Sequence, residues 1–188
     1  IVINGSGSIS GISVGGLPDG TVDAGTLATD SVTAAKLEVS AITDADLPAG
    51  SVLQVVQATG NSQTDPNTSW TDIAGASVAI TPSSTSSKIL ISFNTGGMTN
   101  GTADNISLKM LRGSTSIRVM SRYAYATGSG WFPVPLYMVY LDSPSTASAV
   151  TYKIQSKSDV NNDYRINDDQ ENNGGVNGVT IIAMEIAG

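Results

Sequence analysis

From residue 51 onward, apolar and polar residues alternate one for one, the spacing of strands whose successive side chains point to opposite faces. Ile89, Ile91 and Phe93 share a face opposite Lys88, Ser92 and Asn94. Ile106, Leu108 and Met110 alternate with Ser107 and Lys109, and Val150, Tyr152 and Ile154 alternate with Thr151, Lys153 and Gln155. The same pattern predicts strands at 51–58, 69–74, 77–81, 116–125, 131–141, 162–167 and 178–186. Turn-forming clusters such as Pro82–Ser87 and Asp142–Ser145 separate them. No stretch sustains a 3.6-residue apolar period. Roughly ten short strands with turn signals between them predict an all-β domain, an antiparallel β-sandwich or jelly roll.

Two strands carry more than fold information. Pro133 and Pro135 stand two apart, so their missing N–H groups face one side, and that side is expected to be a sheet edge. The same segment, Trp131 to Leu141, is apolar on both faces, as is Val179–Ile186 apart from Thr180 and Glu185. Such surfaces suit either cover by another subunit or an internal position in the domain.

The first fifty residues follow another rule. Gly11–Leu17 reads GISVGGL, Thr21–Leu27 TVDAGTL, Ser31–Leu37 SVTAAKL and Ala41–Leu47 AITDADL, a period of ten without a slip. A β-branched aliphatic recurs at Ile12, Val22, Val32 and Ile42, and Leu follows at Leu17, Leu27, Leu37 and Leu47. Ser13, Asp23, Thr33 or Thr43 comes directly after the aliphatic, and each is a good helix N-cap. Each repeat thus reads as an extended residue, a cap and a single helical turn. Units this thin cannot bury a core singly and must stack on neighbours or on other chains. The favoured arrangement is a parallel homotrimer with those eight aliphatics on its axis. The alternative is a disordered acidic linker, against which the unbroken register argues. The chain is therefore expected to be two objects: a repeat stalk at 1–50 and a β-sandwich head at 51–188.

Composition supports that division and removes most chemistries. All ten aromatic residues lie from Trp70 onward, and residues 1–50 hold six acids against Lys36 alone. The 188-residue chain carries a formal charge of −7 with no His and no Cys. Disulfides, thiolate zinc sites, Ser–His–Asp catalysis and HExxH chemistry are excluded. The acidic balance gives no electrostatic footprint for nucleic acid. No window reaches the ~18 apolar residues of a membrane helix. The chain opens at Ile1 and not at Met, as expected for the C-terminal part of something longer.

What remains for hydrolysis is a carboxylate pair. The dense acidic stretch Asp159–Glu171 sets Asp168 and Asp169 side by side, so in a strand they point to opposite faces, and Asp163 would have to meet Asp168 across a loop. Asp159, Asn161 and Asp163 resemble the opening of a calcium loop, but Tyr164 and Gln170 replace its Gly and its bidentate Glu. No cofactor and no metal ion is expected. Sugar recognition pairs rings with planar polar groups. Tyr123, Tyr125 and Trp131 bracket the turn Ala126–Gly130, and Tyr125 and Trp131 read equally as receptor contacts or packing. The polar loop Asp168–Asn177, with Asp168, Asp169, Glu171 and Asn172, suits a binding loop or an idle one. Trp70 reads as a half-buried core residue.

Decapeptides of the Ser31–Leu37 type resemble those of tailed-bacteriophage tail fibres, notably of viruses infecting cyanobacteria. Val78–Asn94 is similar to the start of the C-terminal domain of such fibres, and Asp142–Ile154 and Thr180–Ala187 to later landmarks of it. The resemblance implies a virion protein: a homotrimeric distal fibre segment joined to the rest of the tail on its N-terminal side. Its head would touch a polysaccharide or protein receptor on the host surface, without inserting into the membrane. Three functions follow as expectations: a non-enzymatic adhesion module, a fibre-borne glycan-cleaving enzyme, or a purely structural spacer or trimerisation segment.

Overall fold

The computed structural model describes residues 27, 29–33, 35, 37–38, 41–60, 67–99, 102–127, 132–159, 164–167 and 178–188. The chain divides into two compact units, Ile1–Thr43 and Asp44–Gly188. In the first, Leu27, Val32, Leu37 and Ile42 are all exposed, so among the described residues the repeat stripe is open to solvent in one copy of the chain. Ile12, Leu17 and Val22 lie outside the described residues. The second unit opens with a 3-10 turn at Asp44–Asp46, directly after Thr43. The Leu47 N–H donates to the Asp44 carbonyl at 3.3 Å, and the Leu47 side chain is exposed.

Nine strands follow among the described residues: β1 (Val52–Gly60), β2 (Thr71–Ile80), β3 (Lys88–Thr99), β4 (Thr102–Arg112), β5 (Thr115–Thr127), β6 (Phe132–Asp142), β7 (Val150–Ser158), β8 (Tyr164–Ile166) and β9 (Val179–Ile186). They form two antiparallel sheets, β1-β9-β3-β6 and β2-β7-β4-β5, with β8 pairing β3 in the first. The pairs β4–β5, β3–β6, β2–β7 and β1–β9 are nested one inside the next, which is the wrapping of a jelly roll.

The alternation read from the sequence sets which face is inside. Ile89, Ile91, Phe93, Leu136, Met138, Val179, Ile181 and Ala183 from the first sheet meet Ile73, Val78, Ile80, Ile106, Leu108, Met110, Val150, Tyr152 and Ile154 from the second, all buried. Each aliphatic buried in this way contributes about 1.5–3 kcal/mol.

β6 is an edge strand, as its prolines require: Pro133 and Pro135 lie opposite Met98 and Gly96 of β3 and need no partner on the other side. β9 is internal, paired with β1 on one side and β3 on the other. Two boundaries differ from expectation. The segments 69–74 and 77–81 are one strand whose pairing breaks between Asp72 and Ser77, where Gly75 adopts φ 79°. β5 continues through Ala126 and Thr127, which the sequence assigns to a turn.

Candidate functional site

Antiparallel strands alternate in direction, so the loops fall into two sets. The chain enters the sandwich beside Ser51, with the 81–87, 113–114 and 143–149 connections at the same end. The strand ends Thr127, Phe132, Ser158 and Val179 lie at the opposite end. Those ends flank the two loops that the sequence nominates for a receptor. Trp131, Asp168, Asp169, Glu171 and Asn172 themselves lie outside the described residues. Tyr125 lies within β5, its backbone opposite Asn105. Asn167 is buried at φ 58°, its N–H donating to the Gly96 carbonyl at 2.9 Å. Asp159 accepts from Asn105 Nδ2 at 2.9 Å, and Tyr164, at the place where a calcium loop needs its sharp turn, is fully buried in β8.

Trp70 departs from expectation. It is half-buried, but it precedes β2 on the face opposite the buried Ile73, and so lies on the outside of the second sheet. Lys109 of β4 and Lys157 of β7 point to the same side, between buried neighbours on their own strands. Lys109 Nζ stands 4.3 Å and Lys157 Nζ 5.5 Å from the centre of the indole ring. Beside them Asp72 accepts from Lys153 Nζ at 2.8 Å and from Gln155 Nε2 at 2.7 Å. The lysine hydrogen bond is the main reason that the Asp72 carboxyl lies below the usual range. Arg122 adopts φ 53°, fixed by a 3.0 Å hydrogen bond from its N–H to Ser107 Oγ. The alternation does place Lys109 and Lys157 outward, but only the β4–β7 register brings both to one tryptophan.

The outside of the first sheet carries an apolar row beside rows that mix apolar residues with Gln57, Ser92, Asn94 and Thr180. The register aligns Val55, Met184, Leu90 and Leu141 in one row across all four strands. The neighbouring row contributes Ile182 and Val139, and Tyr137 follows on β6. Val55 is 56% exposed, Tyr137 56%, Val139 51% and Leu141 48%, apolar side chains left half open to solvent in one copy of the chain.

Two buried carboxylates close the end at which the chain enters. Glu185 and Asp142 flank Ile89 in a single row. Glu185 accepts from Gln54 Nε2 at 2.5 Å, and from the Ser83 N–H and hydroxyl at 2.7 Å each. Burial pushes its carboxyl up, but these donors outweigh burial and hold it below the ordinary value. Asp142 accepts from Tyr152 Oη at 2.7 Å and from Arg112 Nη1 at 3.0 and 3.1 Å, joining β6 of one sheet to β7 and β4 of the other. Each carboxylate is occupied by protein donors. Among the described residues, no group of three His, Cys, Asp or Glu side chains is placed to hold a metal ion.

No protein-family model matches this sequence, and no curated protein is significantly similar to it. Among solved structures, the chain is similar to the PRD1 vertex protein P5 at 12% identity and a TM-score of 0.36, covering 74% of this chain and all of that one. It is similar to a structure of infectious bursal disease virus, Gx strain, at 12% identity and a TM-score of 0.37, covering 72% of this chain and 38% of that one. A viral particle of the same virus matches at 10% identity and a TM-score of 0.30, covering 71% and 37%. The chain thus spans well under half the length of the two bursal-virus chains. Likeness at this level assigns no family, and the fold rests on the pairing of the strands themselves.

Proposed function

We propose that this chain is a non-enzymatic viral attachment segment: the distal part of a homotrimeric tail fibre whose head meets a glycan or protein receptor on the host surface. The observation that carries this reading is the exposed apolar row, with Val139 and Tyr137 beside it, on the outer face of the β1-β9-β3-β6 sheet. A second copy of the chain is the occupant that fits it. The same chain leaves Leu27, Val32, Leu37, Ile42 and Leu47 exposed at five-residue intervals, and a second copy would cover a stripe of that kind as well. Two separate surfaces therefore ask for the same partner, and a threefold parallel assembly serves both.

In that assembly the N-terminal side joins the rest of the tail, and the loops at the end opposite Ser51 are free to touch a host. Nominated contacts there are Tyr125, Trp131, Asp168, Asp169, Glu171 and Asn172. Three copies on one axis raise the effective concentration of weak sites, so that avidity exceeds single-site affinity by about 10²–10⁴. Fluorescently labelled protein should decorate host cells, and light scattering should give three times the chain mass. Trimers that leave every candidate host unlabelled would mark the segment as a structural spacer. Release of reducing ends from host envelope polysaccharide would mark it as an enzyme.

A further inference from the structure

We propose that the outer face of the β2-β7-β4-β5 sheet around Trp70, Lys109 and Lys157 binds an acidic saccharide chain, whose carboxylate or sulfate groups bridge the two ammonium groups. The site rests on the attachment reading for its role and gives that reading a ligand class.

Charge placement is the first argument. The chain has five lysines in all, at 36, 88, 109, 153 and 157, and three of them stand on this one sheet face of an acidic protein. Lys153 is committed to Asp72 at 2.8 Å. Asp159 is engaged by Asn105 Nδ2 and stands 3.9 Å from Arg122 Nε. Among the described residues no carboxylate forms a salt bridge with Lys109 or Lys157, and Lys109 acts on Asp72 only through space. Two like charges would ordinarily drift apart on flexible stems. Here the negative face of one indole attracts both, at 4.3 and 5.5 Å, and so holds them together.

The second argument is shape and composition. Trp70 is half-buried, an aromatic residue partly open to solvent beside the two cations. A pyranose ring offers an apolar face for such a surface and hydroxyls for Gln155, while its acidic substituent supplies the missing counter-charge. The outer sheet face offers an extended polymer a path across the strands. Arg122, held in the left-handed region by Ser107 at the same end of β4, adds a further cation, 75% exposed at its side chain, along that path. A lone inorganic anion would use the lysines and leave the indole idle.

The test uses the full chain with Trp131→Phe, so that emission reports Trp70 alone. Oligogalacturonate (carboxylated), a heparin-derived hexasaccharide (sulfated) and neutral maltohexaose are titrated at low and moderate salt. At least one acidic oligosaccharide should shift the emission saturably, with affinity falling as salt rises, and maltohexaose should not; which of the two binds identifies the acidic group. Lys109→Gln with Lys157→Gln should weaken binding about tenfold or more, since two charge-assisted contacts at partly exposed lysines are lost. Lys153→Gln should change it less than about twofold. Trp70→Leu, followed by calorimetry, should also weaken it. Equal binding of maltohexaose, unchanged binding by the double variant, no binding of either acidic probe, or sulfate ion binding as tightly as the hexasaccharide would each overturn the proposal. Host cells decorated undiminished by the double variant would overturn this site and leave attachment standing. Oligosaccharide binding without decoration of any host would do the reverse.

Discussion

Gly60 and Gly75 pack backbone against backbone: a Cβ on Gly60 would lie 2.6 Å from the Gly75 Cα, and one on Gly75 would lie 2.5 Å from the Gly60 Cα. Gly60 ends β1 in one sheet and Gly75 stands in β2 of the other where its pairing breaks, so the two sheets meet backbone to backbone where neither has a side chain. Gly75 also holds φ 79°, where L-residues are strained. Gly75→Ala should therefore cost about 2 kcal/mol or more and lower Tm by about 4–8 °C. Thermal unfolding at one fixed protein concentration checks this. A loss within experimental error would show that the sheets can separate freely at this point.

The Asp142 cluster predicts an alkaline limit. Burial first, and then the hydrogen bond to Asp142, raise the Tyr152 hydroxyl well above its ordinary value near 10. Below pH 10 the phenol is neutral in both folded and unfolded chains. Above it, the unfolded chain loses the proton and the folded chain keeps it, so stability falls as pH rises. Tyr152→Phe should cost about 1–3 kcal/mol at pH 7 by removing a donor from a buried carboxylate, and should flatten the fall above pH 10. Urea midpoints between pH 8 and 11 measure both effects.

Glu185 sets the opposite limit. Its folded value lies below the ordinary 4.5, so the stability it confers is complete above about pH 5 and is lost as pH falls through the folded value. Glu185→Gln should lower stability at pH 7 while reducing the slope between pH 5 and 3. A variant with the wild-type acid slope would assign acid sensitivity to other carboxylates, with Asp72 next in line.

For the apolar sheet face, Val139→Glu with Leu141→Glu places two charges where half-exposed aliphatics now stand. Both point away from the core, so the folded unit should persist, with circular dichroism unchanged. If the face is covered by a second copy, the mass by light scattering should fall from three chains towards one. An intact trimer with both charges in place would move the head interface elsewhere.

Much of the head was legible because a two-residue period leaves little freedom: Ile89–Phe93, Ile106–Met110 and Val150–Ile154 fall inside as their alternation requires. Pro133 and Pro135 announced an edge because a missing N–H cannot be hidden. Register was the part that stayed illegible. Gly75 looked like a gap between strands, since its close approach to Gly60 comes from the far side of a loop. Trp70 read as core because one aromatic beside a polar run has no visible partner, and its two lysines come from strands far along the chain. Glu185 sits on the inward face with Val179, Ile181 and Ala183, as alternation demands, yet a lone acid reads as solvated until Gln54 and Ser83 are seen to meet it. Of the nominated receptor residues only Tyr125 falls among those described, and its place inside β5 shortens the expected turn.

The nested pairing also fixes an order of events in synthesis. Val52 finds its ladder partner only in Ile186, and β3 likewise lacks one neighbour until β9 exists. A growing chain therefore emerges with β1 unsatisfied and holds it so until the β9 segment has left the ribosome. Contacts this remote in sequence form slowly, and open strand edges invite mispairing with neighbouring nascent chains. The eight-residue strand β9 is thus the latch of the whole head, and a chain that stopped before Val179 would leave the edges of β1 and β3 open at once.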